Sequence, residues 1–255
     1  MGFLDSYLGR LGLACPVRPD AAALGRLHAA HLERVPFENL SIALDELISL
    51  EREALIGKIL ERRRGGFCYE LNGLFAELLS VLGYDVTLLA ARVWTGESYG
   101  PPLDHLALLV GDSDRSEWLA DVGFGAHSRY PLRLDFGVEQ DDPDGTFCVQ
   151  DVDGDVTVTK DGVIQYQLER HPRRLADFDA MCWYQQHSPL SHFGANAICS
   201  RSSANGRVSL REDILIVTTD GKKHETKLGD DPAILTAYRE HFGIELDRVP
   251  RIRTL

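Results

Sequence analysis

The stretch Arg62–Phe75, RRRGGFCYELNGLF, places one cysteine, Cys68, just after a pair of glycines and at the start of a helix-like run. The first N–H groups of a helix are unpaired and carry the positive end of the helix dipole, which stabilises a thiolate and lowers the pKa of a thiol. Gly65 and Gly66 let the chain turn sharply and leave room for a substrate beside the sulfur. The stretch therefore predicts a reactive cysteine on a helix start. A buried structural thiol is the alternative, because free cysteines are commonly buried.

The residues on both sides of this stretch have helical periodicity. Pro19 and Asp20 open the amphipathic run AAALGRLHAAHLERV, which predicts a first helix. A second helix is predicted over Leu50–Arg63, and a third from near Cys68 to Gly83, where the glycine is the expected C-cap.

The pattern changes after the third helix. Short apolar or alternating segments, separated by Gly, Pro, Asp and Ser, predict strands. These segments are YDVTLLAARVW, DHLALLVG, EWLADVGFG, TFCVQDV, DVTVTK and VIQYQLER. They predict an antiparallel sheet or small barrel between Tyr84 and about Arg174. Two more strands, joined by Asp220–Gly221, and a helix from Asp231 to Phe242 complete the chain as a small mixed unit.

Composition excludes several classes of protein. The chain of 255 residues has a formal net charge of −12, which argues against general nucleic-acid binding because phosphate contacts need a basic face. It contains no run of the roughly 18 apolar residues that a membrane helix needs, and no basic-then-apolar leader, so a cytoplasmic location is expected. Its five cysteines form no C-x-x-C pair, which fits neither a zinc finger nor a disulfide framework. They are Cys15, Cys68, Cys148, Cys182 and Cys199.

A histidine and an aspartate downstream are the expected partners of Cys68. A thiol nucleophile needs an imidazole to take its proton, and the imidazole needs a carboxylate to orient it. His105 begins the apolar segment HLALLV, where a buried polar group requires a partner, and Asp121 lies in the next predicted strand. Sequential strands often pair, so these two side chains are expected to meet. For each residue alone, a structural role is the simpler explanation; the combination favours catalysis.

These motifs resemble those of the arylamine N-acetyltransferase family. RGGFCYELNGLF, with VPFENLSI upstream and DHLALLV and DVGFG downstream, occurs in the family's order, and the likeness extends through SPLSHFGANAICSR and GRVSL. The resemblance implies an α+β fold with an N-terminal helical bundle, a central antiparallel β-barrel and a C-terminal α/β lid, around a core like that of cysteine proteases. The implied domains are residues 1–83 with the cysteine, 84–190 with the histidine and aspartate, and 191–255 as the lid.

The same resemblance implies a function and its catalytic residues. Cys68, His105 and Asp121 would form a catalytic triad that transfers an acetyl group from acetyl-CoA to an aromatic amine or hydrazine. The implied mechanism is ping-pong, with an acetyl-cysteine intermediate and no metal. The implied partners are small molecules, with no nucleic acid and no membrane, and the oligomeric state is left open.

The resemblance further implies a set of pocket residues. Phe37, Phe124 and Phe193 would line a site for flat amines, although each is equally well explained as an ordinary core residue. The other four residues of the set would flank the thioester arm of CoA. The set is Phe37, Val93, Trp94, Gly123, Phe124, Gly125 and Phe193.

Two positions depart from the family's pattern, and one arginine has a structural explanation. Asp104 precedes the histidine where a small polar residue such as threonine is frequent, so an extra carboxylate is expected to alter the amine or cofactor preference. Gly194 replaces a frequent threonine, which changes the local shape of the acyl pocket. Arg64 is expected to form a buried ion pair near the site.

Three other functions remain open from the sequence. An amide synthase of the same fold would capture a polyketide acyl thioester and close a macrolactam. Such relatives are short, and this chain is also short for the family. A trimmed C-terminal lid is therefore expected. A cysteine hydrolase would use water as acceptor, against which the aromatic lining argues. A non-catalytic binding protein is disfavoured by the complete set of Cys68, His105 and Asp121.

Overall fold

The computed structural model describes residues 2–16 and 18–252. Residues 1, 17 and 253–255, which the first and third predicted domains include, lie outside the described residues. The helices are α1 (Phe3–Leu11), α2 (Ala21–Arg34), α3 (Leu40–Ala43), α4 (Arg52–Leu55), α5 (Cys68–Val81), α6 (Asp179–His187) and α7 (Asp231–Ala237). Helices α4 and α7 continue as π-helical turns over Ile56–Glu61 and Tyr238–Phe242. Helices α2, α4, α5 and α7 correspond to predicted helices, whereas α1, α3 and α6 have no predicted counterpart.

Helix α5 is the central element of the N-terminal part. It begins at Cys68 as predicted, and the Glu70 carboxylate accepts a hydrogen bond from the Phe67 backbone N–H at 3.1 Å, which caps the first turn. The chain leaves the helix through Gly83, whose φ of +94° suits glycine. Helix α5 is apolar on nearly every side because it packs both on other helices and on the neighbouring sheet. Its fully buried apolar residues are Tyr69, Leu71, Phe75, Leu78 and Leu79.

Thirteen strands are described, in two antiparallel sheets. They are β1 (Phe37–Glu38), β2 (Asp85–Val93), β3 (His105–Gly111), β4 (Glu117–Ala120), β5 (Leu132–Arg133), β6 (Glu139–Asp142), β7 (Gly145–Val152), β8 (Asp155–Lys160), β9 (Val163–Arg173), β10 (Ile198–Ser203), β11 (Gly206–Arg211), β12 (Ile214–Thr219) and β13 (Lys222–Lys227).

The larger sheet forms a nearly closed barrel. Its eight strands are ordered β5-β4-β3-β2-β9-β8-β7-β6. The two edge strands, β5 and β6, lie next to each other. The Gln140 side chain of β6 accepts a hydrogen bond from the Arg133 backbone N–H of β5 at 2.7 Å and donates one to the Arg133 carbonyl at 2.9 Å. The interior is filled by alternating aliphatic and aromatic residues such as Leu119, Phe147 and Tyr166. This arrangement confirms the predicted α+β fold with an antiparallel barrel.

The smaller sheet pairs a strand of the N-terminal part of the chain with four strands of the C-terminal part. Its order is β1-β10-β11-β12-β13, and Phe37 in β1 is paired with Ser200 in β10. Strands β10 and β11 were not predicted as strands. Strand β10 pairs with β1, and Phe37 of β1 lies 6.2 Å from Phe193, ring centre to ring centre. The predicted division of the chain at residues 83/84 and 190/191 stays a prediction.

None of the helices in the described part of the chain is both long enough and apolar enough to cross a membrane. The cytoplasmic location also stays a prediction.

Candidate active site

Cys68 is the first residue of α5 and is only 3% exposed. The turn before it is packed so tightly that its glycines have no room for a side chain. A Cβ on Gly65 would lie 1.8 Å from the Pro36 carbonyl oxygen, and one on Gly66 would lie 2.7 Å from a Glu70 carboxylate oxygen. The two glycines are therefore required for close approach of the chain, which fixes the direction in which Cys68 enters the helix.

Two buried ion pairs stabilise the turn that precedes Cys68. The Arg64 guanidinium donates to Glu38 at 3.0 Å, and the Lys58 ammonium donates to Glu70 at 2.7 Å. Burial alone would raise the pKa of Glu38, but Lys58 and Arg64 reverse that effect and hold its pKa below the ordinary value. Arg64 is 4% exposed and does not line the site cavity, so it is the structural ion-pair residue that the sequence predicted.

His105 and Asp121 meet as predicted. His105 begins β3 and Asp121 directly follows β4, and the pairing of these strands places Nε2 of the imidazole 2.7 Å from Oδ2 of the carboxylate. Both side chains are buried, at 3% and 2% exposure. Burial opposes the charge on Asp121, but the adjacent His105 and the hydrogen bond from Asn72 hold its pKa well below the ordinary value. Because an ionised carboxylate only accepts hydrogen bonds, Nε2 of His105 is the donor.

The other carboxylate oxygen of Asp121 is fixed by two donors. Oδ1 accepts from Asn72 Nδ2 at 2.9 Å and from the Gly123 backbone N–H at 3.0 Å. Asn72 lies one turn after Cys68 on the same face of α5, and its own Oδ1 accepts from the Val122 N–H at 2.9 Å. Sequence reasoning missed Asn72. Its i+4 spacing from the cysteine was the available signal.

A second missed residue, His28, supports the backbone of Asp121. His28 Nε2 accepts from the Asp121 backbone N–H at 3.1 Å, and its Nδ1 lies 2.8 Å from the Arg129 carbonyl oxygen, to which it therefore donates. Burial lowers the pKa of His28, which keeps the imidazole neutral and able to accept. No feature of the sequence distinguishes His28 from other helix histidines.

Cys68 and His105 lie on the wall of one cavity of about 290 Å³. Five of the seven predicted pocket residues also lie on it: Phe37, Val93, Gly123, Phe124 and Phe193. Trp94 and Gly125 do not. Residues on the wall that were not predicted as pocket residues are Asn39, Asp104, His192, Asn196, Ile198 and Arg211.

The two predicted pocket residues outside the wall have other contacts. The Trp94 ring packs edge-on against Tyr99 at 5.0 Å. Gly125 lies behind Phe37, where a Cβ would meet the ring at 3.6 Å, and its φ of +94° is in the left-handed region. Gly123 is required for a different reason, because a Cβ there would lie 2.6 Å from the Cα of Cys68. The role of each pocket residue in binding stays a prediction.

Aromatic rings enclose the imidazole of His105. Phe124 packs edge-on against it at 5.2 Å, and Tyr166, from β9, lies at 5.4 Å on a tilted plane. Phe193 and Phe37 form a second ring pair on the wall of the same cavity, where β1 of the smaller sheet borders it. These rings leave apolar surface in the site that is suited to a flat organic molecule.

The protonation state of Cys68 differs from the one that its helix position predicts. Burial raises the pKa of the thiol well above its ordinary value, and the negative charges of Asp121 and Asp104 raise it further. A hydrogen bond from the Leu106 backbone acts in the opposite direction but is smaller. The expected lowering of the pKa by the helix start is therefore wrong for the thiol by itself. A thiolate requires that the proton move to a neighbouring base, and the predicted one, His105, lies on the same cavity wall.

Within residues 2–16 and 18–252, no three His, Cys, Asp or Glu side chains form a group that could bind a metal ion. Each of the five cysteines is a free thiol.

Comparison with known proteins agrees with the geometry. The family model described as N-acetyltransferase matches residues 20–251. An arylamine N-acetyltransferase of Mycolicibacterium smegmatis is 33% identical over 95% of this chain and 92% of its own. An arylamine N-acetyltransferase / N-hydroxyarylamine O-acetyltransferase of Salmonella typhimurium is 32% identical over 97% of this chain and 90% of its own.

Solved structures show the same likeness. The arylamine N-acetyltransferase from Salmonella typhimurium superposes with a TM-score of 0.90 at 31% identity, covering 100% of this chain and 95% of that one. The Mycobacterium marinum arylamine N-acetyltransferase in complex with CoA superposes with a TM-score of 0.86 at 29% identity, covering 94% of this chain and 92% of that one.

Proposed function

The chain belongs to the arylamine N-acetyltransferase family and is an acyltransferase, and from this premise we propose that it moves an acetyl group from acetyl-CoA to the nitrogen of arylamines, arylhydrazines or similar amines. The proposed route is ping-pong through an acetyl group on Cys68. The observation that carries the proposal is the hydrogen-bonded His105–Asp121 pair on the cavity wall that also holds the thiol.

The first half-reaction loads the enzyme. His105 takes the proton from the Cys68 thiol, which burial otherwise keeps protonated, and Asp121 stabilises the imidazolium that forms. The thiolate attacks the carbonyl carbon of acetyl-CoA, the C–S bond to CoA breaks, and the CoA sulfur receives the proton from His105. The backbone N–H of Cys68, at a helix start, is the proposed donor to the negatively charged oxygen of the tetrahedral intermediate.

The second half-reaction discharges the enzyme to an amine. The amine nitrogen attacks the acetyl carbon on Cys68 while His105 accepts a proton from it, and the Cys68 sulfur leaves and is reprotonated. The aromatic rings of Phe124 and Phe193 support a flat acceptor over water, since both lie on the cavity wall. The cavity of about 290 Å³ supports an acetyl donor over the bulky polyketide acyl chain of an amide synthase.

Steady-state kinetics with varied acetyl-CoA at several fixed concentrations of an aromatic hydrazine tests the proposal. We expect parallel lines in a double-reciprocal plot, and with acetyl-CoA alone a burst of about one equivalent of CoA followed by slow release. Continuous fast release without an amine would indicate a hydrolase. A strong preference for long acyl thioesters over acetyl-CoA would indicate an amide synthase.

A further inference from the structure

The site cavity contains a buried carboxylate that the proposed transfer steps do not use. Asp104 lies next to His105 on the cavity wall and is 8% exposed. Its Oδ1 accepts from Gln185 Nε2 at 2.9 Å, and the Gln185 carbonyl in turn accepts from the Ser191 hydroxyl at 2.5 Å. The backbone is held as well, because the Tyr69 hydroxyl donates to the Asp104 carbonyl at 3.0 Å. Asp104 is therefore fixed in place from two sides.

The carboxylate retains capacity to accept hydrogen bonds from a ligand. An ionised carboxylate has about four acceptor positions. Gln185 occupies one of them, and the backbone of Val93 lies close enough to form a second hydrogen bond. The remaining positions are not used by these two donors, and the side chain lies on the cavity wall with Oδ2 next to the Gly100 backbone, where a Cβ would lie 2.2 Å from it.

The other ionisable groups on the wall do not cancel the charge of Asp104. Burial lowers the pKa of His192, so its imidazole is neutral at neutral pH. The remaining charged group is the Arg211 guanidinium, which is exposed at the end of β11, where solvent screens it. A buried charge acts more strongly than an exposed one at equal distance, since the surrounding medium is less polar. Burial raises the pKa of Asp104 itself, but the hydrogen bonds from the Val93 backbone and Gln185 favour its ionised form. Its carboxylate is therefore the negative charge on the cavity wall.

We infer that Asp104 determines acceptor specificity: the cavity favours amines and hydrazines whose other polar groups are neutral, cationic or hydrogen-bond donors, and disfavours aromatic amines that carry a carboxylate. The inference rests on the proposed acetyl transfer. The resulting substrate class is neutral arylamines and hydrazides rather than aminobenzoates.

A matched pair of acceptors isolates the charge from the shape. 4-Aminobenzoate and 4-aminobenzamide have similar size, and only the first is anionic. The enzyme is first acetylated with acetyl-CoA, which mass spectrometry verifies, and the rate of discharge by each amine is then measured. The wild-type enzyme should be discharged faster by the amide. Asp104→Asn, which preserves shape and the bond from Gln185, should reduce the ratio of kcat/KM for amide over carboxylate by about tenfold or more.

Two further variants make the test decisive. Asp220→Asn is the charge-matched control, because Asp220 is exposed in the β12–β13 turn at φ +50°, which asparagine tolerates. It should leave the ratio unchanged. Asp104→Thr is a second neutral variant in case the amide packs badly, and it should shift the ratio in the same direction as Asp104→Asn.

Three outcomes would overturn the inference. One is an unchanged ratio in both Asp104 variants that still acetylate normally, which would leave the proposed function intact. Another is faster discharge of the wild type by 4-aminobenzoate, which would show that Arg211 dominates the field. The third is failure of acetyl-CoA to acetylate the wild type, which would remove the proposed function as well.

Discussion

Replacement of Asp121 by asparagine tests the proposed triad at the atom that orients the imidazole. In the structure Oδ1 of Asp121 accepts from two donors, Asn72 Nδ2 and the Gly123 N–H, and Oδ2 accepts from His105 Nε2. An asparagine has one oxygen and one NH₂ group. The two donors on one side require the oxygen there, so the NH₂ group must face His105.

This orientation changes the tautomer of the imidazole. Nε2 of His105 must then accept a hydrogen bond, which places the ring proton on Nδ1. Nδ1 is the nitrogen left to exchange a proton with Cys68, and in that tautomer it has no lone pair to receive the proton. Burial keeps the pKa of the thiol high, so the thiolate does not form on its own.

The expected loss in the acetylation rate is about 10²- to 10⁴-fold, the larger figure being the loss of turnover when the aspartate of a serine-protease triad becomes an amide. That loss corresponds to about 2.7 to 5.5 kcal/mol of transition-state stabilisation. The assay is stopped-flow release of CoA in the first turnover. Thermal unfolding serves as the control for folding, because the two donor bonds to the residue are retained. A folded Asp121→Asn protein within threefold of the wild-type rate would show that the Asp121 carboxylate does not set the tautomer of His105.

Two further predictions concern the thiol and the turn behind it. In His105→Gln, alkylation of Cys68 by iodoacetamide at neutral pH should slow by about tenfold or more, because burial raises the pKa of the thiol and the imidazole proposed to take its proton is removed. Exposed Cys15 is the internal standard, and unchanged Cys68 labelling would count against the pairing. Arg64→Gln leaves Glu38 buried with the Leu40 backbone N–H as a donor and the more distant Lys58, at 3.9 Å, as its cationic partner, and should lower the free energy of unfolding by about 3 to 5 kcal/mol. The difference in the free energy of unfolding between wild type and variant should narrow as the pH falls from the ordinary glutamate pKa through the lowered pKa of Glu38, since protonation removes the charge that Arg64 stabilises, and a difference independent of pH would contradict this explanation.

The main elements near the site could be predicted because their signals are local. The two glycines, Cys68 and the apolar run that follows predict a helix start, and alternating segments predict β3 and β4 with His105 and Asp121 on neighbouring strands. The helix from Asp179 to His187 was missed because its exposed and buried faces are both partly polar, so it lacks a clear apolar stripe.

The parts of the site that could not be predicted depend on distant contacts. Asn72 and His28 are buried because they bond to residues about 50 and 93 positions away. The direction of the pKa shift of Cys68 also depends on burial, which the sequence of one helix does not give. Trp94 was predicted as a pocket residue from its place in the motif. Its side chain instead packs against Tyr99 and does not line the cavity.

Peptide mass mapping after incubation with acetyl-CoA alone tests most directly whether Cys68 carries the acyl group. We expect one added acetyl group per chain, located on the peptide that contains Cys68, and its removal when an aromatic amine or hydrazine is added. The Cys68→Ala protein should gain nothing, which controls for chemical acetylation of lysines. An unmodified Cys68 peptide at millimolar acetyl-CoA, or an acetyl group that an amine does not remove, would contradict the account.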